Sequence, residues 1–222
     1  MNDLTLIVPV KNEPESLPFM LMEIEKLNLN YIIVMEKNDF ITLNSIEKFK
    51  SKIIFQNNKG YGDALWLGLQ NVKTKYFLIM YADGSTDPNE VSKFYNEITE
   101  KNLDLLFATR YSKNGSSEDD NFITYIGNKI FTLIGKIFFS LSITDILYTF
   151  VMGNAEKVLN LKLKQKDFRF CVELPIKARR NLMIMASSSS YERKRIGGQK
   201  KVNAFRDGFF ILKYLIYLFF NK

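Results

Sequence analysis

Five short β-rich runs, each closed by a polar turn and separated by stretches with helical spacing, constrain this chain more than any other feature. Leu4 to Val10, Tyr31 to Met35, Lys52 to Phe55, Tyr76 to Met80 and Leu103 to Ala108 read as buried strands. The segments between them repeat apolar residues three to four apart, and that alternation predicts a mainly parallel α/β sheet flanked by helices. The helix after the first strand is expected to bury Leu17, Met20, Leu21, Ile24 and Leu27. No internal repeat interrupts the pattern.

With 222 residues, 46% of them hydrophobic and 14% aromatic, the chain can close one large core. Its single cysteine, Cys171, excludes an intramolecular disulfide framework and a cysteine-rich zinc site, and points to a reducing compartment. Histidine is absent, so any acid–base chemistry falls to carboxylates, Lys, Arg, Tyr, the backbone, or a substrate that brings its own nucleophile. A formal charge of +7 calls for an anionic partner: a nucleoside diphosphate, a phospholipid surface or nucleic acid. Met1-Asn2-Asp3 leads straight into the first strand without the marks of a signal peptide, so a cytoplasmic protein is expected. No run is expected to reach the ~18 to 20 apolar residues of a membrane span.

The loop Ser112 to Asp120 is long and polar enough for a lid, or for a plain surface loop. Beyond it the character changes. Phe122 to Leu141 and Phe205 to Phe220 are strongly apolar helices punctuated by lysines, more than a chain of this size needs to close its core. Docking at a membrane interface would use them, with Lys129, Lys136, Lys213 and Lys222 near the headgroups. The alternative is that they pack on the sheet or in a homodimer contact. The division expected is a catalytic domain over residues 1–204 and a C-terminal amphipathic helix over 205–222.

A strand that releases a carboxylate into a polar turn at its C-terminal end is where open α/β sheets place ligands, which singles out Asp83 in Tyr81-Ala82-Asp83-Gly84-Ser85-Thr86-Asp87-Pro88. This turn resembles the metal-binding region of family 2 glycosyltransferases, with Tyr81 standing where the family has its first Asp. Four further pieces fall in the family's order. VPVKNEPESLP (Val8 to Pro18) resembles its opening motif, with Lys11 in place of the usual aromatic. YIIVMEKND (Tyr31 to Asp39) puts Glu36 where relatives carry an acidic group for base or ribose. NNKGYGDAL (Asn57 to Leu65) matches a glycine turn whose following helix aims its amides at an anion. SYERKRIGGQKKVNAFRDG (Ser190 to Gly208) is similar to the C-terminal region of polyprenyl-phosphate and polysaccharide glycosyltransferases. Bottom-up, its Arg193, Lys194, Arg195, Lys200 and Lys201 around two glycines make a cationic loop suited to phosphates. A nucleic-acid patch is a competing reading, but no nucleic-acid module accompanies it.

The resemblance implies a GT-A fold and inverting transfer from a UDP- or GDP-linked sugar with Mg²⁺ or Mn²⁺. It implies Asp83, Arg195 and Lys201 as the catalytic set, with Asp83 and Ser85 on the metal. It implies a nucleotide-sugar pocket of Pro9, Lys11, Glu13, Glu36, Gly60, Asp63, Tyr81, Ala82, Asp83, Arg110, Arg195 and Lys201. Asp145 and Thr149-Phe150-Val151 stand where the family has its "D..SGFR" motif, without the Gly or the Arg, and Glu173 matches its "F.VE". The acceptor expected is a polyprenyl phosphate, whose oxygen is ionised without a general base, reached by a peripheral enzyme on the cytoplasmic face of the membrane, alone, as a homodimer or with a membrane-protein partner. A saccharide hydroxyl acceptor, a non-catalytic nucleotide-binding relative and a nucleotidyltransferase are the alternatives.

Overall fold

A computed structural model of the protein describes residues 1–221. In chain order the elements are β1 (Leu4–Val10), α1 (Ser16–Lys26), β2 (Asn30–Met35), α2 (Phe40–Ser45), β3 (Lys52–Phe55), α3 (Tyr61–Asn71), β4 (Tyr76–Ile79), α4 (Val91–Glu100) and β5 (Leu105–Thr109). They continue with β6 (Ser116–Ser117), α5 (Phe122–Phe139), β7 (Val151–Asn154), α6 (Ala155–Asn160), α7 (Phe170–Arg180), β8 (Met185–Ser189), β9 (Tyr191–Glu192) and α8 (Ala204–Phe220). The main sheet has seven strands in the order β3-β2-β1-β4-β7-β5-β8. All its neighbours are parallel except β7, which runs antiparallel between β4 and β5.

Both faces of the sheet are covered, which is why its strands read as continuous apolar runs. Ile7, Val34, Phe77 and Ile79 pack with α3, α7 and α8, while Leu6, Val8, Ile33 and Leu78 pack with α1 and α4. Each such side chain taken from water contributes about 1.5 to 3 kcal/mol. Register then fixes the site: Val10 lies opposite Met35, Ile7 opposite Ile79 and Met35 opposite Phe55, so the turns after these parallel strands open on one edge.

The five expected strands are present to within two residues. Two more strands of the main sheet were not foreseen. β7 carries only Val-Met-Gly-Asn, and β8 is an edge strand made of Met-Ala-Ser-Ser-Ser, inside what reads in sequence as a serine run. In α1, Leu17, Met20, Leu21 and Ile24 are buried as expected, but Leu27 is exposed because the helix ends at Lys26 and Leu27 leaves the buried face.

The expectation that no segment reaches the length of a membrane span is corrected by α5. It has 18 residues with a mean hydropathy of 1.3, long and apolar enough by length and composition. Only Asn128 and Gly135 of this helix are buried. Asn128 donates to the fully buried Asp145 at 2.5 Å, which holds that side of α5 to the protein. α8 lies beside it and shares the core through Ile211, Tyr214, Leu215 and Leu218. Tyr214 donates to the buried Glu173, which also accepts from the Lys164 and Gln165 amides and pairs with Lys177 at 2.8 Å, a structural role for this Glu. The outer faces of both helices stay apolar and exposed, with Phe122, Ile130 and Ile137 on α5 and Phe205, Phe209 and Phe220 on α8. Lys222, assigned above to the headgroups, lies outside the described residues.

Candidate active site

The strand ends open into a cavity of about 830 Å³. Pro9, Lys11 and Glu13 line it from the turn after β1, Glu36 from the turn after β2, and Gly60 from the turn before α3. Tyr81, Ala82 and Asp83 follow β4, Arg110 follows β5, and Arg195 and Lys201 come from the strap of chain between β9 and α8. The same cavity continues between α5 and α8, past Ile123, Ile130, Phe205 and Phe209. It is charged at one end and apolar at the other.

Of the residues assigned to the pocket and the metal, Ser85 and Asp63 do not line it. Ser85 is buried behind Asp83, donating through its hydroxyl at 2.7 Å and its amide at 3.0 Å to Asp83 Oδ1. It orients the carboxylate from behind. Asp63, in the first turn of α3, accepts from Gln56 at 3.3 Å and Asn58 at 3.2 Å and so closes the glycine turn on itself. That turn needs its glycine: at Gly60 φ is 121°, and a Cβ would lie 2.2 Å from the Lys166 carbonyl oxygen.

Asp83 Oδ2 faces the strap, 3.2 Å from Arg195. Arg195 also pairs with Asp119 at 3.1 Å, Lys200 pairs with Asp119 at 3.1 Å, and Lys201 pairs with Glu13 at 3.0 Å. The strap is held along the Asp83 turn by two backbone bonds, Arg193 N–H to the Ser85 carbonyl and Ile196 N–H to the Asp83 carbonyl. Arg193 itself pairs with Glu23 at 2.8 Å and donates to the Gly84 and Thr86 carbonyls, a pin and not a free cation. Gly198, at φ 71°, lets the backbone ride against Glu13, where a Cβ would come within 2.4 Å of Oε2.

Burial pushes the Glu13 carboxyl above its ordinary range in spite of Lys201 and Ser16. At Asp119, burial also acts upward, but the bonds from Arg195 and Lys200 outweigh it and hold the carboxyl below its ordinary range. Lys11 and Glu36 pair with each other at 3.0 Å at the cavity mouth.

Arg110 is the most firmly held cation of the site. Its guanidinium bridges Asp145 at 2.8 Å and Glu192 at 3.0 Å and lies over the Tyr148 ring. Asp145 is fully buried and accepts from Arg110 and Asn128, so this pair ties the end of β5 to α5. Glu192, with its carboxyl raised by burial, completes the cluster from β9.

Tyr81 turns its ring edge-on to Tyr148, with centroids 5.7 Å apart, and its hydroxyl accepts from the Thr149 amide at 2.8 Å. Thr149 Oγ1 lies 3.0 Å from the Tyr81 hydroxyl and 2.5 Å from that of Tyr61. Sequence reasoning missed Tyr61, Thr149, Asp119 and Glu192 as cavity residues. Asp119 carried a signal, an acidic pair in a polar loop facing a cationic one. The others carried none, since only the fold brings them together.

Residues 5–160 match the family described as Glycosyl transferase family 2, and the chain belongs to that family. Among curated proteins it is 26% identical over 186 residues to a dolichol-phosphate mannosyltransferase of Pyrococcus furiosus, covering 79% of this chain and 53% of that one. It is 27% identical over 106 residues to an uncharacterised glycosyltransferase of Mycobacterium tuberculosis, covering 48% of each. The chain thus spans about half the length of these relatives. Among solved structures, glucosyl-3-phosphoglycerate synthase from M. tuberculosis, in complex with Mn²⁺, UDP-glucose and phosphoglyceric acid, superposes with a TM-score of 0.76 at 12% identity, over 97% of this chain and 79% of that one. Mannosyl-3-phosphoglycerate synthase from Rubrobacter xylanophilus gives 0.72 at 15% identity, over 97% and 72%. These likenesses show the GT-A fold.

Proposed function

We propose that this protein transfers a sugar, with inversion, from a nucleoside diphosphate sugar to a polyprenyl phosphate at the cytoplasmic surface of a membrane. The observation that carries the reading is the shape of one cavity. Its charged end holds carboxylates and cations that suit a diphosphate, and its other end is an apolar trough between α5 and α8, open along the exposed faces of both helices. A lipid with an anionic head matches both ends at once; a saccharide matches only the first.

The residues fit a divalent metal. Mg²⁺ and Mn²⁺ are hard cations, and Mg²⁺ is commonly held by one or two carboxylates, with substrate phosphates and water completing the shell. Asp83 offers one such carboxylate to the cavity, and among the described residues no group of three or more acidic or cysteine side chains forms an all-protein cage. Asp83 would therefore hold the ion together with the diphosphate. When bound, the metal neutralises charge on the departing diphosphate.

Arg195 and Lys201, which line the cavity, supply the rest of that neutralisation by exchanging their pairs with Asp83, Asp119 and Glu13 for the diphosphate oxygens. The acceptor phosphate is ionised near neutral pH and needs no base. In keeping with this, the cavity's carboxylates are already engaged: Glu13 with Lys201, Glu36 with Lys11, Asp119 with Arg195, and Glu192 with Arg110. Supplying polyprenyl phosphate, Mg²⁺ or Mn²⁺ and a panel of radiolabelled UDP- and GDP-sugars tests the reading. Label in the lipid fraction is the expected result. Label only on an added saccharide would replace the lipid acceptor with a hydroxyl acceptor.

A further inference from the structure

The chain departs from its family's common pattern at Tyr81, where an Asp is usual, and at Thr149, where a Gly is usual. The structure brings these two departures into direct contact, although 68 positions separate them in sequence. The Thr149 amide donates to the Tyr81 hydroxyl at 2.8 Å, so the foreign ring has a fixed partner. Tyr61, stacked on Phe168 with centroids 5.2 Å apart, reaches Thr149 Oγ1 from the other side at 2.5 Å. All four residues line the cavity.

Counting protons shows that this cluster is incomplete. Tyr61, Tyr81 and Thr149 carry one hydroxyl proton each, and the two hydroxyl–hydroxyl contacts, Tyr61 to Thr149 and Tyr81 to Thr149, can use only two of the three. The Tyr81 oxygen already accepts the Thr149 amide. One O–H donor is therefore left over on the cavity wall, whichever way the hydroxyls rotate. A leftover donor on the wall of a ligand-sized cavity can be met by an acceptor from a ligand.

The surroundings narrow the ligand. The rings of Tyr61, Phe168 and Tyr81 give an apolar wall, and the hydroxyls give a few fixed polar points, the usual makeup of a small-molecule pocket. A sugar ring has the complementary shape, with C–H faces to lie on the rings and hydroxyl oxygens to accept the spare proton. Tyr81 precedes Asp83 by two residues, so this wall begins beside the carboxylate assigned to the diphosphate, where the sugar of a sugar nucleotide must sit. We infer that Tyr61, Tyr81 and Thr149 form the donor-sugar subsite and select the sugar, an assignment that rests on the sugar-nucleotide reading given under the proposed function. The same cluster closes off the position of the family's first carboxylate and turns it from charge handling to hydroxyl recognition.

Titration calorimetry with Mn²⁺ and UDP, GDP, UDP-glucose, UDP-galactose or GDP-mannose tests this on the wild type, on the combined variant Tyr61→Phe, Tyr81→Phe, Thr149→Val, which removes all three hydroxyl protons, and on Thr149→Ser, which keeps them. The phenylalanines preserve the rings stacked on Phe168 and edge-on to Tyr148; melting curves check that each variant is folded. The expected result is that the combined variant weakens the preferred sugar nucleotide by roughly three- to tenfold, the range of one neutral hydrogen bond. Binding of the free nucleoside diphosphate should stay unchanged, preference between sugars should flatten, and Thr149→Ser should keep it. Equal losses for the sugar nucleotide and the free diphosphate, or no loss in either, would overturn the subsite while leaving sugar-nucleotide binding intact. A wild type that binds none of the five would instead overturn the sugar-nucleotide reading, and the subsite with it.

Discussion

The two ends of the cavity are built on opposite principles. At the strand ends nearly every charge has a partner within the protein, as Asp83, Asp119 and Glu13 meet Arg195, Lys200 and Lys201. Between α5 and α8 the outward residues have none: Phe122 is 76% and Phe205 79% exposed. The charged end is self-satisfied and must exchange its internal ion pairs for those of a ligand. The apolar end has nothing to give up when it is covered. Selectivity is thus expected at the first end and avidity for a surface at the second.

The largest blow to the charged end should come from its buried anchor. Asp145→Ala leaves the Arg110 guanidinium with Glu192 alone and takes the acceptor from Asn128, and should cost about 3 to 5 kcal/mol in urea unfolding. A loss below about 1 kcal/mol would mean that the pair is solvated and that the two ends of the cavity are less distinct than described. Next in size, Asp83→Asn should lower transfer by roughly 100-fold, the scale of one lost charge-stabilising group, and abolish the Mn²⁺ dependence of nucleotide binding, with folding unchanged. Retained metal dependence in a calorimetric titration would move the metal elsewhere.

The apolar end should answer in the reverse way. Phe209→Ser, at a site 63% exposed, should leave solution stability within about 0.5 kcal/mol. Its binding to phosphatidylglycerol vesicles in a flotation assay should fall by roughly tenfold, as about 1.4 kcal/mol of apolar burial is lost. Unchanged flotation would remove α8 from the membrane surface.

The smallest effect is a pH dependence. Burial alone would raise the Asp119 carboxyl, but the contacts from Arg195 and Lys200 lower it, so its folded pKa lies below its unfolded one. Its contribution to stability is complete above the unfolded value of about 3.9 and is lost as pH falls through the folded value. Asp119→Asn should lower stability by less than about 1 kcal/mol at neutral pH, with the difference from the wild type fading as pH falls through the folded value. An equal drop at all pH values would mean that the side chain acts by packing.

How much of this was legible in the sequence follows the same division. β1 to β5 were readable because strands covered on both faces are apolar throughout, and the glycine turn and cationic strap because few residue types can do what they do. β8 was not, since Ser187, Ser188 and Ser189 gain their strand from pairing with β5 and not from their own preference. Asp83 was legible as a carboxylate after a strand, but its Arg195 partner at 3.2 Å required the strap to be traced back across the sheet. The Tyr81–Thr149 contact had no local signal, because nothing near Tyr81 in sequence says what its hydroxyl meets. The extent of α5 was legible to within two residues, but its apolar run was read as too short for a span because Lys136 interrupts it by composition while leaving the helix unbroken.

The neighbour that α5 acquires along its side arrives late in synthesis. α8 begins at Ala204, 65 residues after α5 ends at Phe139. At ~5–20 residues per second, a ribosome exposes the apolar flank of α5 for several seconds before α8 can meet it. During that interval the nascent chain offers a sticky helix with Ile134, Phe138 and Phe139 still lacking their α8 contacts. A lipid surface or a holdase near the exit tunnel would shield it, so the yield of native protein from cell-free translation should rise when vesicles are present from the start and not when they are added after release.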